Sequence, residues 1–271
     1  MVTAKKTPAA KPAAPKPAAK PAAKPAAKTT AVAVKKSSGG ALAEMKAKMA
    51  ADLAALQGRT GAPGGDKISC KNKKFKLPDG TEADELQLVI VDFTNVNSFY
   101  EGAYNKDAIV PPACFAIHPL LASLTPSDAS PVKQSNACTG CPMNEFGSDS
   151  NGKACKNARR LAVLPPDADE DTPLWILDAS ATAIKHFDSY VRSVAQKFGM
   201  TPVGVVTTVS FEPSSDFPSL RFSDPQPNDN IVVHYARMDE ARDRLAQEPD
   251  VSGYTASPPP KGRAKVAPAR R

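Results

Sequence analysis

The sequence predicts a mainly β domain with one long helix, an α+β arrangement, between two disordered basic tails. Three observations predict it. Apolar runs rich in β-branched residues, such as Val203 to Phe211, are typical of strands. One stretch, Ala181 to Phe198, has apolar residues at helical spacing and is followed by Gly199. The two ends are rich in Lys, Pro and Ala, and such residues bury too little apolar area to fold.

The tails also divide the charge of the chain. Residues 1–40 hold nine lysines and no acid, with Lys-Pro-Ala-Ala repeated four times from Lys11 to Ala27. Residues 251–271 add five basic residues, so the stretch 41–250 keeps 21 basic residues against all 28 acids, a net charge of −7. The protein is therefore an acidic body between two cationic arms. Such arms attract polyanions, although a solubilising or linker role fits them as well.

The body has two predicted parts. Residues 41–65 comprise an amphipathic helix over 41–57 and a glycine-rich linker, and residues 66–250 form the main domain. Predicted strands cover 75–77, 86–93, 113–117, 160–164, 174–177, 203–211 and 220–222, and the helix 181–198 separates the last two from the others. Antiparallel strands, one helix and then two strands is the order of an oligonucleotide-binding (OB) barrel. Other small β-barrels share this order.

Four cysteines predict a metal centre. Cys138 and Cys141 form a two-residue-spaced knuckle, and Cys114 and Cys155 lie on either side of it in the sequence. Four thiolates are the usual ligands of a closed structural zinc site, and the polar loop between them has little core of its own. We therefore expect an OB-like barrel with a zinc-stapled insertion at about 114–155.

Several alternatives to this zinc site stay open. An iron–sulfur cluster also takes four thiolates, and His118 or Cys70 could replace Cys114 as the fourth ligand. A redox-active cysteine pair needs a helix beginning at Cys138, and Pro142 argues against one. The three histidines form no cluster, and no catalytic motif is present, so we predict no catalytic residues and no enzyme.

Single-stranded nucleic acid needs cations for phosphates and aromatic faces for bases. The predicted cations surround Cys155 or lie on the long helix, and the predicted aromatic residues lie in what reads as a polar loop from Phe93 onward. The candidate nucleic-acid-binding residues are Phe99, Tyr100, Tyr104, Lys153, Lys156, Arg159, Arg160, Lys185 and Arg192.

The cysteine block resembles a group of bacteriophage proteins. The resemblance is carried by Pro112-Ala113-Cys114, Cys138-Thr139-Gly140-Cys141-Pro142, Phe146-Gly147-Ser148, Lys153-Ala154-Cys155 and Arg159-Arg160-Leu161, and it continues to the strand Val203 to Phe211. It implies an OB fold, a zinc site and single-stranded DNA binding in phage replication or recombination. The basic end Ala269-Arg270-Arg271 departs from the acidic tail with which well-known single-strand binders recruit partners.

Two functions follow as expectations. The first is non-catalytic binding of single-stranded DNA, with replication or recombination proteins as further partners and without a membrane or small-molecule ligand. The second is a zinc-stabilised structural or protein-interaction role in assembly, with tails that attract nucleic acid. A metal-dependent enzyme is a weaker alternative. No signal peptide or membrane span is predicted, so we expect a soluble protein of the cytoplasm, that of the host cell if a phage encodes it.

Overall fold

The computed structural model describes residues 45–46, 48–49, 66–102 and 109–255, and it divides the chain into two compact units, 1–59 and 60–271. In the first unit the described residues are helical and lie within the helix predicted over 41–57. Met45 and Met49 are exposed there. The predicted tail over 1–40 and most of the tail over 251–271 lie outside the described residues.

The second unit contains nine described strands and three helices. The strands are β1 (Lys67–Lys71), β2 (Lys74–Lys76), β3 (Glu82–Ala83), β4 (Leu86–Phe99), β5 (Cys114–His118), β6 (Cys155–Leu164), β7 (Trp175–Ser180), β8 (Val205–Phe211) and β9 (Leu220–Pro227). The helices are α1 (Ile184–Phe198), α2 (Ile231–Ala236) and α3 (Met238–Leu245). No described helix combines the length and the apolar character needed to cross a membrane.

The described strands form one curled mixed sheet, a half-barrel, which confirms the mainly β prediction. The order is β3-β2-β1-β7-β6-β4-β8-β9, and β5 pairs with β4 outside this path. The β1–β7 pair is parallel, and the other pairs are antiparallel. Within this order β8, β4, β6 and β7 form a Greek key, because the fourth of these strands in sequence returns to lie beside the first.

Strand β4 is the centre of the sheet. One of its edges pairs with β6 from Val89 to Phe99, with a bulge between Ile90 and Asp92. Its other edge pairs first with β8, at residues 86–88, and then with β5, at residues 95–99. A strand that pairs on both edges and is covered on both faces must be apolar almost continuously, as residues 88–91 are.

The main core lies between one face of the sheet and α1. Phe187 and Val194 of α1 are fully buried, and the Phe187 ring contacts Phe93 and Phe222 edge-on at 4.9 and 5.1 Å between centroids. Helix α1 ends at Gly199, whose positive φ of 64° lets its N–H donate to the Ala195 carbonyl at 3.0 Å. The helix begins three residues later than the predicted start at Ala181, because Ala183 is its N-cap residue.

A smaller core covers the opposite face of the sheet. Helix α3 packs there, and the buried members of this cluster are Val91, Ala162, Leu164, Ala168, Leu174, Ala241 and Leu245. The sequence analysis missed α3, which has only a short and mostly charged sequence. It also placed a loop from Phe93 onward, which is wrong as far as Phe99, because these residues continue β4. Asn95 and Asn97 interrupt the apolar pattern but are themselves buried.

We expect Phe187→Ala to lower the free energy of unfolding by about 3–5 kcal/mol, because it removes the ring that fills the space between α1 and the sheet and leaves a cavity there. Gln196→Ala, at an exposed position of the same helix, should change it by less than about 0.5 kcal/mol. Urea denaturation of both variants measures this. Equal effects would mean that α1 is not held by its buried face.

Candidate metal centre and nucleic-acid interface

Two of the four candidate ligands lie in one row of the sheet. Phe99 of β4 pairs with Cys114 of β5 on one side and with Cys155 of β6 on the other. Paired residues of neighbouring strands project from the same face, so both thiols share a face of the sheet. The pairing of β4 therefore brings together two cysteines that are 41 positions apart in the sequence.

The other two ligands lie on the predicted knuckle. Gly140, between Cys138 and Cys141, has a φ of 73°, a left-handed conformation that favours glycine. The Asn144 N–H donates to the Cys141 carbonyl at 2.8 Å, and only a single 3-10 turn, Pro142–Asn144, follows. No long helix begins at Cys138, so this turn does not resemble a redox-active cysteine pair.

The four thiols are buried in one neighbourhood. Each is between 7 and 9% exposed. Burial raises the pKa of the Cys155 thiol to about 12, and the nearby thiols of Cys138, Cys141 and Cys114 raise it further. Burial likewise raises the pKa of Cys138, with Cys114 and Cys141 adding to the effect and a hydrogen bond from Asn97 opposing it. A divalent cation would reverse this preference by stabilising the thiolates.

This donor set fits a zinc centre with four cysteine ligands. In the part of the chain that the structure describes, no group of three or more Cys, His, Asp or Glu side chains already has the arrangement of a metal site. Ligand geometry and metal binding are coupled, since coordination itself draws thiolates together. Zinc therefore stays a prediction, with Cys114, Cys138, Cys141 and Cys155 as the residues that would hold it.

A chain of asparagines connects the knuckle to the sheet. The Asn157 side-chain amide donates to the side-chain oxygens (Oδ1) of Asn97 and Asn144 at 2.5 and 3.0 Å. The Asn144 side-chain amide in turn donates to the backbone carbonyl of Cys138 at 3.0 Å. Outer-shell hydrogen bonds of this kind fix the orientation of metal ligands. The sequence analysis missed this chain, because it joins residues up to 60 positions apart.

The two alternative fourth ligands lie elsewhere. Cys70 is on β1, where burial and then the charges of Asp178 and Lys67 set its pKa, which is raised to about 11. None of the other four cysteines contributes to the shift in the pKa of Cys70. The Nδ1 atom of His118 lies 3.0 Å from both the amide nitrogen and the carbonyl oxygen of Leu120. Cys114 acts on the pKa of both Cys138 and Cys155, whereas neither Cys70 nor His118 does so.

Two of the predicted phosphate-binding cations are engaged inside the protein. Arg159 is 8% exposed, and its guanidinium donates to both carboxylate oxygens of Asp188 at 3.0 and 3.1 Å. Arg160 donates to the Gln247 carbonyl at 2.9 Å and lies 3.7 Å from the Asp178 carboxylate. Because Asp188 neutralises the Arg159 guanidinium, Arg159 is not free to bind a phosphate in this arrangement. Arg160 shares the Asp178 carboxylate with Lys67, which lies closer to it at 2.6 Å.

The other predicted residues divide into three groups. Lys185 and Arg192 lie on α1, about two turns apart, and no described contact joins them to the cysteine loop. Phe99 is half-buried between the two thiols of its row. Tyr104 lies outside the described residues.

The remaining candidates meet at the cysteine end of β4 and β6. We name Tyr100, Phe146, Lys153 and Lys156 the loop patch. The Phe146 ring is 82% exposed, and the Lys153 Nζ atom lies 5.3 Å from its centroid. Tyr100 is 44% exposed and follows the Phe99–Cys155 pair by one residue, and Lys156 pairs with Ser98. Sequence reasoning used Phe146 only for the family resemblance, although a lone aromatic residue in a polar, glycine-containing loop was a usable signal.

Comparisons with protein-family models, with curated proteins and with solved structures each gave no match.

We expect the purified protein to carry about one zinc ion per chain. Cys138→Ser should release it and cost several kcal/mol of stability, because structural zinc binding contributes to folding energy. Cys70→Ser is the matched control and should leave the metal content unchanged. Elemental analysis and thermal melting measure both. A fully folded protein without metal would contradict the prediction, and an iron–sulfur absorption spectrum would replace zinc with a cluster.

We expect Asp188→Ala to lower the free energy of unfolding by about 3 kcal/mol, because it leaves the buried Arg159 charge without its partner. Asp149→Ala is the control: it removes an exposed ion pair with Lys156, with an N–O distance of 3.5 Å, and should cost no more than about 1 kcal/mol. Chemical denaturation distinguishes the two. An equally small loss in both variants would mean that Arg159 remains solvated.

Proposed function

We propose that this chain is a non-catalytic single-stranded DNA-binding protein with an OB-like barrel and a zinc-stapled loop. The observation that carries the proposal is the loop patch, where an exposed aromatic ring and lysines lie together on a loop fastened to the end of two paired strands. Single-strand binders combine aromatic faces for bases with cations for phosphates in this way.

The topology supports the OB part of the proposal. In an OB barrel five strands form a Greek key, and ligands contact the second and third strands and the loops that follow the first and fourth. Strands β4, β6, β7, β8 and β9 have this order, and α1 lies between the third and the fourth. On this correspondence β4 is the first OB strand and β6 the second. The segment from the end of β4 to the start of β6, with the four candidate cysteine ligands, is therefore the loop after the first OB strand.

The covering of the outer face supports the choice of the loop patch. Helix α3 packs over Ala162 and Leu164 of β6, and the chain after it reaches Arg160 through the Gln247 carbonyl. The part of β6, the second OB strand, that lies nearest the loop patch remains exposed at Lys156. Nucleic acid would then lie at the cysteine end of the sheet.

Zinc has a clear part in this proposal. The loop from Asn144 to Lys153 is polar, and its described internal contacts are hydrogen bonds, such as that from Ser148 Oγ to the Glu145 carbonyl at 2.6 Å, and the Lys153–Phe146 contact. A metal ion held by Cys141 and Cys155, on either side of the loop, would fix Phe146 and Lys153 before DNA binds. Such preorganisation lowers the entropic cost of binding. The resemblance of the cysteine block to phage proteins extends the proposal to DNA replication or recombination.

One observation favours the alternative, a zinc-stabilised protein-interaction module. Leu120 and Leu121 lie side by side on a turn after β5 and are 64 and 59% exposed. Neighbouring exposed leucines are typical of protein contacts more than of nucleic-acid contacts. The same binding experiment decides between the two functions, because this alternative requires no affinity of the folded domain for oligonucleotides.

The test is oligonucleotide binding by loop-patch variants. Phe146→Ala or Tyr100→Ala should weaken binding of labelled oligothymidine by about 1–3 kcal/mol, whereas Phe146→Trp, which keeps a π face, should cost little. Tyr235→Ala is the matched control, since Tyr235 is 60% exposed on α2, away from the cysteine loop. Fluorescence anisotropy across a salt series measures all four variants.

Two results would contradict the proposal. The first is the absence of any preference of the intact protein for single-stranded over double-stranded DNA. The second is unchanged affinity in both aromatic variants together with lower melting temperatures, which would mean that these rings serve packing.

A further inference from the structure

The hairpin β1–β2 is strongly basic within an acidic body. Its ten residues, 67–76, contain five lysines and no acid, whereas residues 41–250 together have a net charge of −7. Lys67 pairs with Asp178 at 2.6 Å and Lys74 with Asp84 at 3.1 Å. The other three, Lys71, Lys73 and Lys76, make no ion pair with any residue that the structure describes.

The lysines share one face of the hairpin. Side chains alternate along a strand, so Ile68, Cys70 and Phe75 face inward, and Ile68 and Phe75 are fully buried. Lys67, Lys71, Lys74 and Lys76 project from the opposite face. Lys71 and Lys74 lie directly across from each other in the strand register, and like charges in this position are destabilising.

The turn of the hairpin has a second unfavourable feature. Asn72 and Lys73 have φ values of 54° and 55°, so the two-residue turn between Lys71 and Lys74 has the type I′ conformation. Asparagine is common at the first position of such a turn, and glycine is preferred at the second. A lysine with positive φ costs conformational free energy that glycine would not. Residues held in such conformations cluster at functional sites.

The turn contacts a loop that carries an exposed aromatic ring. The Lys73 Nζ atom lies 3.3 Å from the carbonyl oxygen of Pro213, in the loop 212–219 between β8 and β9. Phe217 of this loop is 70% exposed. The stacked rings of Phe75 and Phe211, with centroids 4.3 Å apart, fasten the hairpin to the strand end where this loop begins.

The acids of this loop leave the lysines largely uncompensated. The Glu212 carboxylate accepts from the Ser214 hydroxyl at 2.9 Å and lies 3.8 Å from Arg221. Asp216 is the other acid of the loop, and no ion pair joins it to a lysine of the hairpin in the part of the chain that the structure describes. A polyanion approaching the turn thus meets Lys71 and Lys73, which form no ion pair with a described residue, whereas Lys67 and Lys74 are already paired with Asp178 and Asp84.

We propose that the hairpin β1–β2 and the loop 212–219 form a second contact surface for single-stranded DNA, with Lys71 and Lys73 on phosphates and Phe217 stacked on a base. The inference rests on the proposed function and extends it to a surface separate from the loop patch. The ligand chemistry is a polyanion with free base faces, because a phenyl ring can stack only on a base that is not enclosed in a duplex. On this proposal the lysine at the glycine position of the turn supplies a positive charge where a glycine would supply none.

The decisive variant is Lys73→Gly in the full-length protein. Glycine removes the strain of the turn together with the charge, so the melting temperature should rise while binding of oligothymidine weakens at low salt. The slope of log affinity against log salt should become shallower by about 0.7 for the lost phosphate contact. Lys197→Gln, which removes an exposed lysine of α1, is the charge-matched control and should leave the slope unchanged. An unchanged slope for Lys73→Gly would overturn the proposal.

The second variant is Phe217→Ala, which tests stacking without changing the charge. It should weaken binding of single strands about tenfold and binding of a duplex of the same length by much less. Equal affinities of this variant and the unmodified protein for single strands would overturn the aromatic part of the proposal.

The outcomes also separate this surface from the proposed function. If the unmodified protein binds no oligonucleotide at low salt, both fall. If Phe146→Ala weakens binding but the Lys73 and Phe217 variants bind like the unmodified protein, the second surface alone falls. If the Lys73 variant loses salt dependence but Phe217→Ala weakens duplex and single-strand binding equally, the surface recognises a polyanion without strand preference, and the proposal for single-stranded DNA is overturned.

Discussion

The pairing of β4 on both edges is the constraint on which the rest of the domain depends. Its partner β6 runs along one edge for almost the whole length, while β8 and β5 divide the other. Two different neighbours on one edge require the strand to bend, and the bulge between Ile90 and Asp92 supplies a bend. The two cores lie on opposite faces of this strand, so replacing its partners would disturb both.

The candidate metal centre is a consequence of the same strand. Cys114 and Cys155 flank Phe99 at its end, and the asparagine chain that begins at Asn97 reaches the knuckle. The sheet therefore supplies two candidate ligands, together with hydrogen bonds to the knuckle that carries the other two. The loop between the cysteines buries few apolar side chains, so little else holds it to the sheet. A metal ion would add to the hydrogen bonds that already connect the knuckle to β4 and β6.

Charge in this domain has to be judged pair by pair. Arg159 and Arg160 belong to the cations next to Cys155 in the sequence. Arg159 is buried against Asp188, however, and Arg160 donates to the Gln247 carbonyl in the chain after α3. The lysines of the hairpin were passed over in the sequence, where they lie before or within the short first predicted strand, 75–77. Lys71, Lys73 and Lys76 form no ion pair with a described residue, and the Glu212 carboxylate of the neighbouring loop is engaged by Ser214 and Arg221. The net charge shows that the body is acidic as a whole, but it does not show where on the body phosphates could bind.

The sequence by itself determined the features that depend on neighbouring residues. Period-two burial along Val205–Phe211, the end of α1 at Gly199 and the cysteine knuckle all follow from spacings of a few positions. Only the tertiary structure decided which side chains are available. Whether Phe93 packs in the core or Arg159 meets a phosphate depends on Phe187 and Asp188, which are 94 and 29 positions away. Local pattern fixes the face on which a residue lies, but distant partners determine what that face contacts.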